Sequence, residues 1–204
     1  MSLNQGGGFV KSDERRQVPD LQLYFSPLSY STAPRGKRPL MSPDPYPAVR
    51  LGFNPTKPTS TGKVSLQSAD PYDPPKFLGN YITTHEDKKV MLAGMHLMRR
   101  FLQTDALQAI VNEELTPGAR AQNDAELLNF ALNEGGTVCH QCGTCRMDKD
   151  ASCSVVDERL RVHGVERLRI VDASIFPRIT TGNTNAPAIM VGEKAADIIL
   201  EDYK

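Results

Sequence analysis

Residues 139–147 read Cys-His-Gln-Cys-Gly-Thr-Cys-Arg-Met and contain three of the four cysteines and one of the four histidines of this 204-residue chain. The fourth cysteine, Cys153, follows in the next segment. Two kinds of site fit this composition. Either the thiolates hold a metal ion or an iron–sulfur cluster, or His140 acts as an acid or base in a pocket that the cysteines help to line. A half-buried loop in which none of these side chains acts is the third interpretation.

The cysteine spacing by itself is only moderately specific for a metal. Cys139, Cys142 and Cys145 form a C-x2-C-x2-C pattern, to which Cys153 adds a fourth candidate ligand. Ferredoxin-type sites usually have three residues between the third cysteine and a fourth, which is followed by proline, and this sequence has neither feature. Clustered cysteines in a chain without a secretory signal also argue against a disulfide framework. From the spacing alone, an iron–sulfur or zinc-binding module using these four cysteines stays an open alternative.

The N-terminal part of the chain is predicted to consist of strands and loops. Alternating apolar and polar residues are typical of strands with one buried face, and three segments show this pattern: 21–25, 49–53 and 62–66. Prolines are dense between residues 26 and 58. Because proline lacks the N–H that a strand ladder needs, most of that stretch is predicted to be loop.

Helices are predicted for much of the remainder. Apolar residues at helical spacing indicate a first helix that begins near Glu86. Residues that favour helix starts precede two shorter helices and a last one: Thr104, Asn123, and Thr184 or Asn185. A short strand is predicted at 168–171, between the third and the last helix. This order of elements predicts an α+β chain that ends in a strand–loop–helix unit.

Composition and charge exclude several classes of partner. Lys+Arg and Asp+Glu both number 24, so the net charge is zero and nothing indicates binding of nucleic acid. No apolar stretch approaches the roughly 18–20 residues that cross a bilayer, and the polar, glycine-rich start does not resemble a signal peptide. We therefore expect a cytoplasmic protein without a transmembrane segment, with peripheral contact to a membrane left open.

An ordered series of motifs resembles the glucose–methanol–choline (GMC) family of flavin-dependent oxidoreductases. The family signature has a histidine three residues before Gly-Thr-Cys-Arg-Met, as His140 stands before residues 143–147 in this chain. Further matching segments follow at the expected distances: 154–157, 160–165, 168–174, Pro177, 182–187 and 193–197. Shorter matches to the family's substrate domain lie upstream, at 8–10, 19–22 and 68–71. The resemblance is nearest to choline-dehydrogenase-like members, in which the cysteine at the position of Cys145 is not a ligand.

The resemblance implies a fold and a division into domains. The fold is a mainly antiparallel sheet flanked by helices, the family's substrate-binding domain, with a C-terminal strand–loop–helix that completes the FAD-binding domain. Residues 1–137 would belong to the substrate-binding domain and 138–167 to the active-site segment. Residues 168–204 would belong to the FAD-binding domain.

The resemblance also implies a chemistry. Members of the family oxidise an alcohol by hydride transfer from its carbon to N5 of FAD, while a base removes the hydroxyl proton. His140 matches the catalytic histidine, and Asn183 matches a second catalytic position that is His or Asn in the family. An asparagine amide is not a base, but it donates a hydrogen bond to the developing alkoxide. Four further residues match positions beside the flavin: Asp172, Ala173, Asn185 and Ala186.

The part of the enzyme that binds the FAD pyrophosphate is not recognisable in this sequence. The family uses a Gly-x-Gly-x-x-Gly turn between a strand and a helix, and Gly6, Gly7 and Gly8 are not predicted to lie in that context. We therefore expect an N-terminal FAD domain to be missing as a partner, and the chain alone to be inactive and not to retain FAD. Its small-molecule substrate would be an alcohol such as choline. The apolar face of the last strand and helix would favour self-association.

Overall fold

A computed structural model describes residues 5–30 and 43–203. The described residues fall into two units along the chain. The first comprises those of 1–55 and 84–135, and the second those of 56–83 and 136–203. The boundaries predicted at 137/138 and 167/168 separate family domains rather than compact units of this chain. The two units do not test these boundaries, which stay a prediction.

The first unit contains a three-stranded antiparallel sheet. Its strands are β1 (Gly6–Val10), β2 (Leu21–Ser26) and β3 (Arg50–Pro55), in the order β1-β2-β3. The two strands predicted at 21–25 and 49–53 are confirmed. Leu21, at the start of the central strand, is fully buried. This agrees with the alternating pattern, which places Leu21 on the buried face of the strand. Strand β1 was not predicted, because three of its five residues are glycines, which strands disfavour.

The same unit contains three helices: α1 (His85–Leu102), α2 (Asp105–Gln108) and α3 (Asp124–Glu134). Two of them begin at capped residues. The Thr84 hydroxyl accepts a hydrogen bond from the backbone N–H of Asp87 at 3.2 Å, and the Asn123 side chain accepts one from Glu126 at 3.0 Å. Each such cap stabilises its helix by about 1 kcal/mol. The predicted starts near Glu86 and at Asn123 are thus confirmed.

The core of the first unit lies where α1 packs against β3 and α3. Its buried members are Met95, Ala121, Leu127 and Ala131. Leu127 is 1% exposed, and full burial of a leucine side chain contributes roughly 1.5–3 kcal/mol. An antiparallel sheet covered by helices is therefore the observed architecture of this unit, in agreement with the predicted fold class.

The second unit has little regular structure apart from one hairpin and one long helix. The hairpin pairs β4 (Lys63–Ser65) with β5 (Lys76–Leu78), and the helix is α4 (Asn185–Asp202). Between them a single turn of 3-10 helix spans Ala173–Ile175. The core consists of six buried residues from the loops and from α4: Val156, Leu160, Ile175, Phe176, Val191 and Ala195. The strand predicted at 62–66 and the last helix are confirmed.

The predicted strand at 168–171 is wrong as a regular element. Arg169 forms a single antiparallel bridge with Arg161, and the N–H of Ile170 donates to the Leu160 carbonyl at 3.1 Å. A strand needs a ladder of hydrogen bonds to a neighbour. Neither of the two sheets formed by the described residues includes this segment, so its extended backbone pairs only locally.

None of the helices found in 5–30 and 43–203 is both long enough and apolar enough to cross a membrane.

Candidate active site

The loop that contains His140 is fixed to the 3-10 turn by two backbone hydrogen bonds. The N–H of Cys145 donates to the Ser174 carbonyl at 2.9 Å, and that of Met147 donates to the Ile175 carbonyl at 2.8 Å. Because Ile175 is a buried core residue, these bonds tie the signature segment to the core of the second unit.

A glycine makes the turn that precedes these bonds. Gly143 has a φ of +85°, and a Cβ atom at this position would lie 3.0 Å from the Phe176 carbonyl oxygen. A side chain would therefore be strained in both backbone conformation and space. Glycine at this position lets the chain turn between His140 and the anchored residues Cys145 and Met147.

The structure brings His140 and Asn183 into direct contact. The Asn183 Nδ2 atom lies 2.8 Å from His140 Nε2, although the two residues are 43 positions apart. His140 is half-buried and Asn183 is exposed, so the pair is open to solvent on one side. Gly182, with a φ of +97°, turns the backbone immediately before Asn183. The two side chains that the sequence predicted to act on one hydroxyl are thus neighbours.

Thr184 completes the surroundings of the imidazole. Its Oγ1 lies 3.1 Å from His140 Nδ1, and the residue is 8% exposed. Both ring nitrogens of His140 are therefore contacted by consecutive residues. Sequence reasoning treated Thr184 only as the start of the last helix. Its position next to Asn183 was the one signal that it belongs to the site.

A second contact places a tyrosine next to the histidine loop. The Gln141 side-chain amide donates to the Tyr81 hydroxyl at 2.7 Å and to Thr137 Oγ1 at 2.6 Å. Tyr81 follows the β4–β5 hairpin and is 54% exposed. Nothing in the sequence pattern pointed to this residue, because it lies 60 positions before Gln141.

Asp172 and Ala173 lie at the 3-10 turn, to which the His140 loop is bonded. The Asp172 carboxylate accepts a hydrogen bond from the Ser174 N–H at 2.7 Å and so caps this turn. Ala173 packs against the core. Asp172 thus has a structural task, while its exposed carboxylate remains accessible.

Asn185 and Ala186 are the first two residues of α4, and both are exposed. The N–H groups at a helix start have no intrahelical acceptor and carry partial positive charge. The Thr184 side chain makes no capping hydrogen bond to them. This helix start can therefore bind an electron-rich or negatively charged group.

The four cysteines are not gathered into one set of metal ligands. Cys139 and Cys153 are exposed, while Cys142 and Cys145 are partly buried. Cys142 packs against the core, and burial raises the pKa of its thiol. Across the described ranges, no three side chains from His, Cys, Asp or Glu are grouped so that they could hold a metal ion. The arrangement therefore gives no support to the four-cysteine alternative.

Comparison with known proteins assigns the family. The model of the GMC oxidoreductase C-terminal region matches residues 58–192, which is more than half of the chain. The chain belongs to the GMC oxidoreductase family. This confirms the resemblance drawn from the signature around His140, and the chain is thus similar to flavoproteins that oxidise alcohols.

Curated relatives support the choline-dehydrogenase-like character. The chain is 37% identical over 205 residues to an alcohol dehydrogenase [acceptor] from Pseudomonas putida, covering 98% of this chain and 35% of that protein. It is 34% identical to an oxygen-dependent choline dehydrogenase from Staphylococcus xylosus, covering 96% of this chain and 34% of that protein. The chain spans about a third of the length of the curated relatives it matches.

Solved structures agree on the fold. Pyridoxine 4-oxidase from Mesorbium loti superposes with a TM-score of 0.79 at 27% identity, covering 96% of this chain and 37% of that one. A fungal aryl-alcohol oxidase superposes with a TM-score of 0.73 at 29% identity, covering 93% of this chain and 29% of that one.

Proposed function

We propose that this chain forms the substrate side of an FAD-dependent enzyme that oxidises the CH–OH group of an alcohol to a carbonyl. The observation that carries the proposal is the 2.8 Å contact between Asn183 Nδ2 and His140 Nε2. A base and an amide donor side by side are what an alcohol hydroxyl needs as its proton leaves.

His140 acts as the base in this proposal, and Asn183 acts as the orienting donor. A hydroxyl placed between the two side chains gives its proton to His140 Nε2 and accepts a hydrogen bond from Asn183 Nδ2. General base catalysis of this kind contributes about 10²–10⁴-fold to the rate. When bound, FAD supplies the acceptor for the hydride that leaves the alcohol carbon.

Residues at the start of α4 and at the 3-10 turn would hold the flavin. The helix start at Asn185 and Ala186 offers N–H groups that the Thr184 side chain does not cap, and Asp172 presents an exposed carboxylate. Ala173 stands next to it without a polar group of its own. We propose that 168–204 complete the FAD-binding domain, 1–137 form the substrate-binding domain, and 138–167 carry the base.

The chain alone is proposed to be inactive and not to retain FAD, because it has no recognisable pyrophosphate-binding turn. The missing partner is then an FAD-binding domain of the family. The side of α4 that would meet it carries exposed apolar residues, including Ile189 at 59% and Met190 at 58%. We propose that the separate chain self-associates through this surface. We also propose that the protein acts in the cytoplasm. Gel filtration that shows a monomer at every concentration contradicts the proposed association.

The substrate is proposed to be a small alcohol, with choline as the first candidate. The support is the name of the Staphylococcus xylosus relative, an oxygen-dependent choline dehydrogenase. Other related proteins are a pyridoxine oxidase and an aryl-alcohol oxidase, so the panel of test substrates includes a pyridine alcohol and a benzylic alcohol.

The test uses this chain joined to the FAD-binding domain of a GMC relative. Flavin bleaching is followed without oxygen after addition of each alcohol, in the parent protein and in His140→Ala and Asn183→Ala. We expect His140→Ala to slow bleaching at least about 10²-fold. His163→Ala is the matched control, since His163 contacts Ser154 in a separate loop of the same unit. Parent-like bleaching by His140→Ala would remove it as the base.

A further inference from the structure

The His140 ring is held between two side chains whose chemistry fixes the position of its proton. Nε2 faces Asn183 Nδ2 at 2.8 Å, and Nδ1 faces Thr184 Oγ1 at 3.1 Å. An amide nitrogen donates hydrogen bonds and does not accept them. The Nε2 atom must therefore be the acceptor in the contact with Asn183.

The position of the remaining ring hydrogen follows from this. A neutral imidazole has one N–H and one bare nitrogen, so an accepting Nε2 places the hydrogen on Nδ1. Nδ1 then donates to Thr184 Oγ1, which accepts through a lone pair. The doubly protonated ring does not fit this pair of contacts, because its Nε2–H would point at another donor.

The first turn of α4 leaves the Thr184 hydroxyl available for its contact with His140. Threonine at an N-cap normally accepts a hydrogen bond from the first turn of its helix, as Thr84 does for α1. Asn123 does the same for α3. At α4 the third residue, which donates to the cap in α1 and α3, is Pro187 and has no N–H. Thr184 therefore makes no side-chain capping bond, and its hydroxyl lies against His140.

We propose that Thr184 is a positioning residue that, by accepting from Nδ1 while the Asn183 amide donates to Nε2, holds His140 in the neutral tautomer with hydrogen on Nδ1 and a bare Nε2. Its relevance to catalysis rests on the proposed function, in which Nε2 takes the hydroxyl proton. The N–H groups of Asn185 and Ala186, on the proposed flavin side, receive no side-chain cap from Thr184.

The test reads the tautomer directly, in the chain itself. Histidine labelled with ¹⁵N is incorporated, and two-bond ¹H–¹⁵N correlation spectra are recorded in alkaline buffer. The His140→Gln variant assigns the His140 signals. We expect the unsubstituted chain and Thr184→Ser to show a protonated Nδ1 and a bare Nε2. In Thr184→Val the Nδ1–H loses its acceptor, whereas a rotated Asn183 amide can accept from Nε2–H through Oδ1. The single tautomer should therefore be lost, and both nitrogens should move to averaged shifts.

Thr180→Val is the matched control for removal of a threonine hydroxyl in the same loop. Thr180 Oγ1 is buried and has no hydrogen-bond partner within the described residues, so this variant should keep the original His140 signals. Bare Nδ1 with protonated Nε2 in the unsubstituted chain overturns the proposal, whatever the variants do. An unchanged tautomer in a folded Thr184→Val chain also overturns it.

The same variants in the enzyme joined to an FAD-binding domain separate this inference from the proposed function. Thr184→Val is expected to lower kcat on the order of 10²-fold, and Thr184→Ser is expected to restore it. If His140→Ala keeps full activity, the proposed function fails while the tautomer result can still stand. If His140→Ala is inactive but Thr184→Val has parent-like kcat and tautomer, only the positioning role fails.

Discussion

Replacing Gly143 by alanine tests whether the turn after His140 depends on a left-handed backbone. The φ of +85° is unfavourable for an L-residue, at about 1–2 kcal/mol. The added Cβ would also lie 3.0 Å from the Phe176 carbonyl oxygen, which leaves little room for relaxation. We expect Gly143→Ala to lower the free energy of unfolding by about 2–3 kcal/mol.

Urea unfolding followed by circular dichroism measures this change, and a thermal scan supports it. For a chain of this length, each kcal/mol corresponds to roughly 2–4 °C in Tm, so a drop of about 4–12 °C is expected. Gly136→Ala is the matched control. A Cβ at Gly136 meets nothing within 4 Å, and the residue is not among those with positive φ.

The control is expected to be neutral or stabilising by about 0.4–1 kcal/mol, because alanine restricts the unfolded chain. The two variants should therefore differ by about 3 kcal/mol. Equal stabilities for Gly143→Ala and Gly136→Ala would refute the assignment of strain to the turn. A fully stable Gly143→Ala would also show that the signature does not need glycine to form this turn.

Three further changes test other parts of the structure. Thr84→Val removes the cap of α1 and should cost about 1 kcal/mol in urea unfolding, whereas Thr84→Ser should cost little. Gly192→Ala fills open space in the middle of α4 and should raise the free energy of unfolding by about 0.5–1 kcal/mol; a loss would show that this space is needed. Asp202→Asn tests how the free energy of unfolding depends on pH in acid, since the hydrogen bond from Arg169 lowers the pKa of Asp202. A lowered pKa gives stability that is present above the ordinary carboxyl pKa of about 4 and is lost as the pH falls below it. The free energies of unfolding of parent and variant should therefore differ near pH 6 and become equal in acid.

Helices and central strands could be predicted because their causes are local. The Asn123 cap and the apolar stripe of α1 are visible in consecutive residues, and the structure confirms both. Strand β2 could be predicted from its alternation in the same way. These elements are defined by a few residues that are neighbours in the sequence. A sequence pattern therefore contains the information needed to predict them.

Elements that depend on distant partners could not be predicted in this way. Strand β1 contains glycines and exists because β2 offers it a ladder of hydrogen bonds. Strand β5 follows a proline-rich turn and pairs with β4. Conversely, 168–171 has the apolar pattern of a strand but only one bridge. In each case the partner decides the structure.

The candidate site shows the same division. His140 and Asn183 were identified from the family signature, and their contact is a result of the fold rather than of any spacing. Thr184 and Tyr81 escaped notice because side-chain contacts across 44 and 60 positions leave no periodic trace in the sequence. Thr184 was also a plausible helix cap, so the pattern already supplied an ordinary explanation for it.

The second unit contains another half-buried histidine, and a comparison of the two rings supports His140 in the proposed role of base. His163 Nε2 lies 3.0 Å from Ser154 Oγ, and that hydroxyl donates to the Asp150 carbonyl at 2.8 Å. The serine must then accept from His163, so its Nε2 carries the hydrogen and is bonded within the loop. His140 has the opposite arrangement, because its Nε2 is bare and faces the exposed Asn183 amide. A substrate hydroxyl can insert into that contact, giving its proton to the ring and receiving a hydrogen bond from the amide. The site is therefore distinguished by the bonding of the ring, which the presence of a histidine in the sequence does not determine.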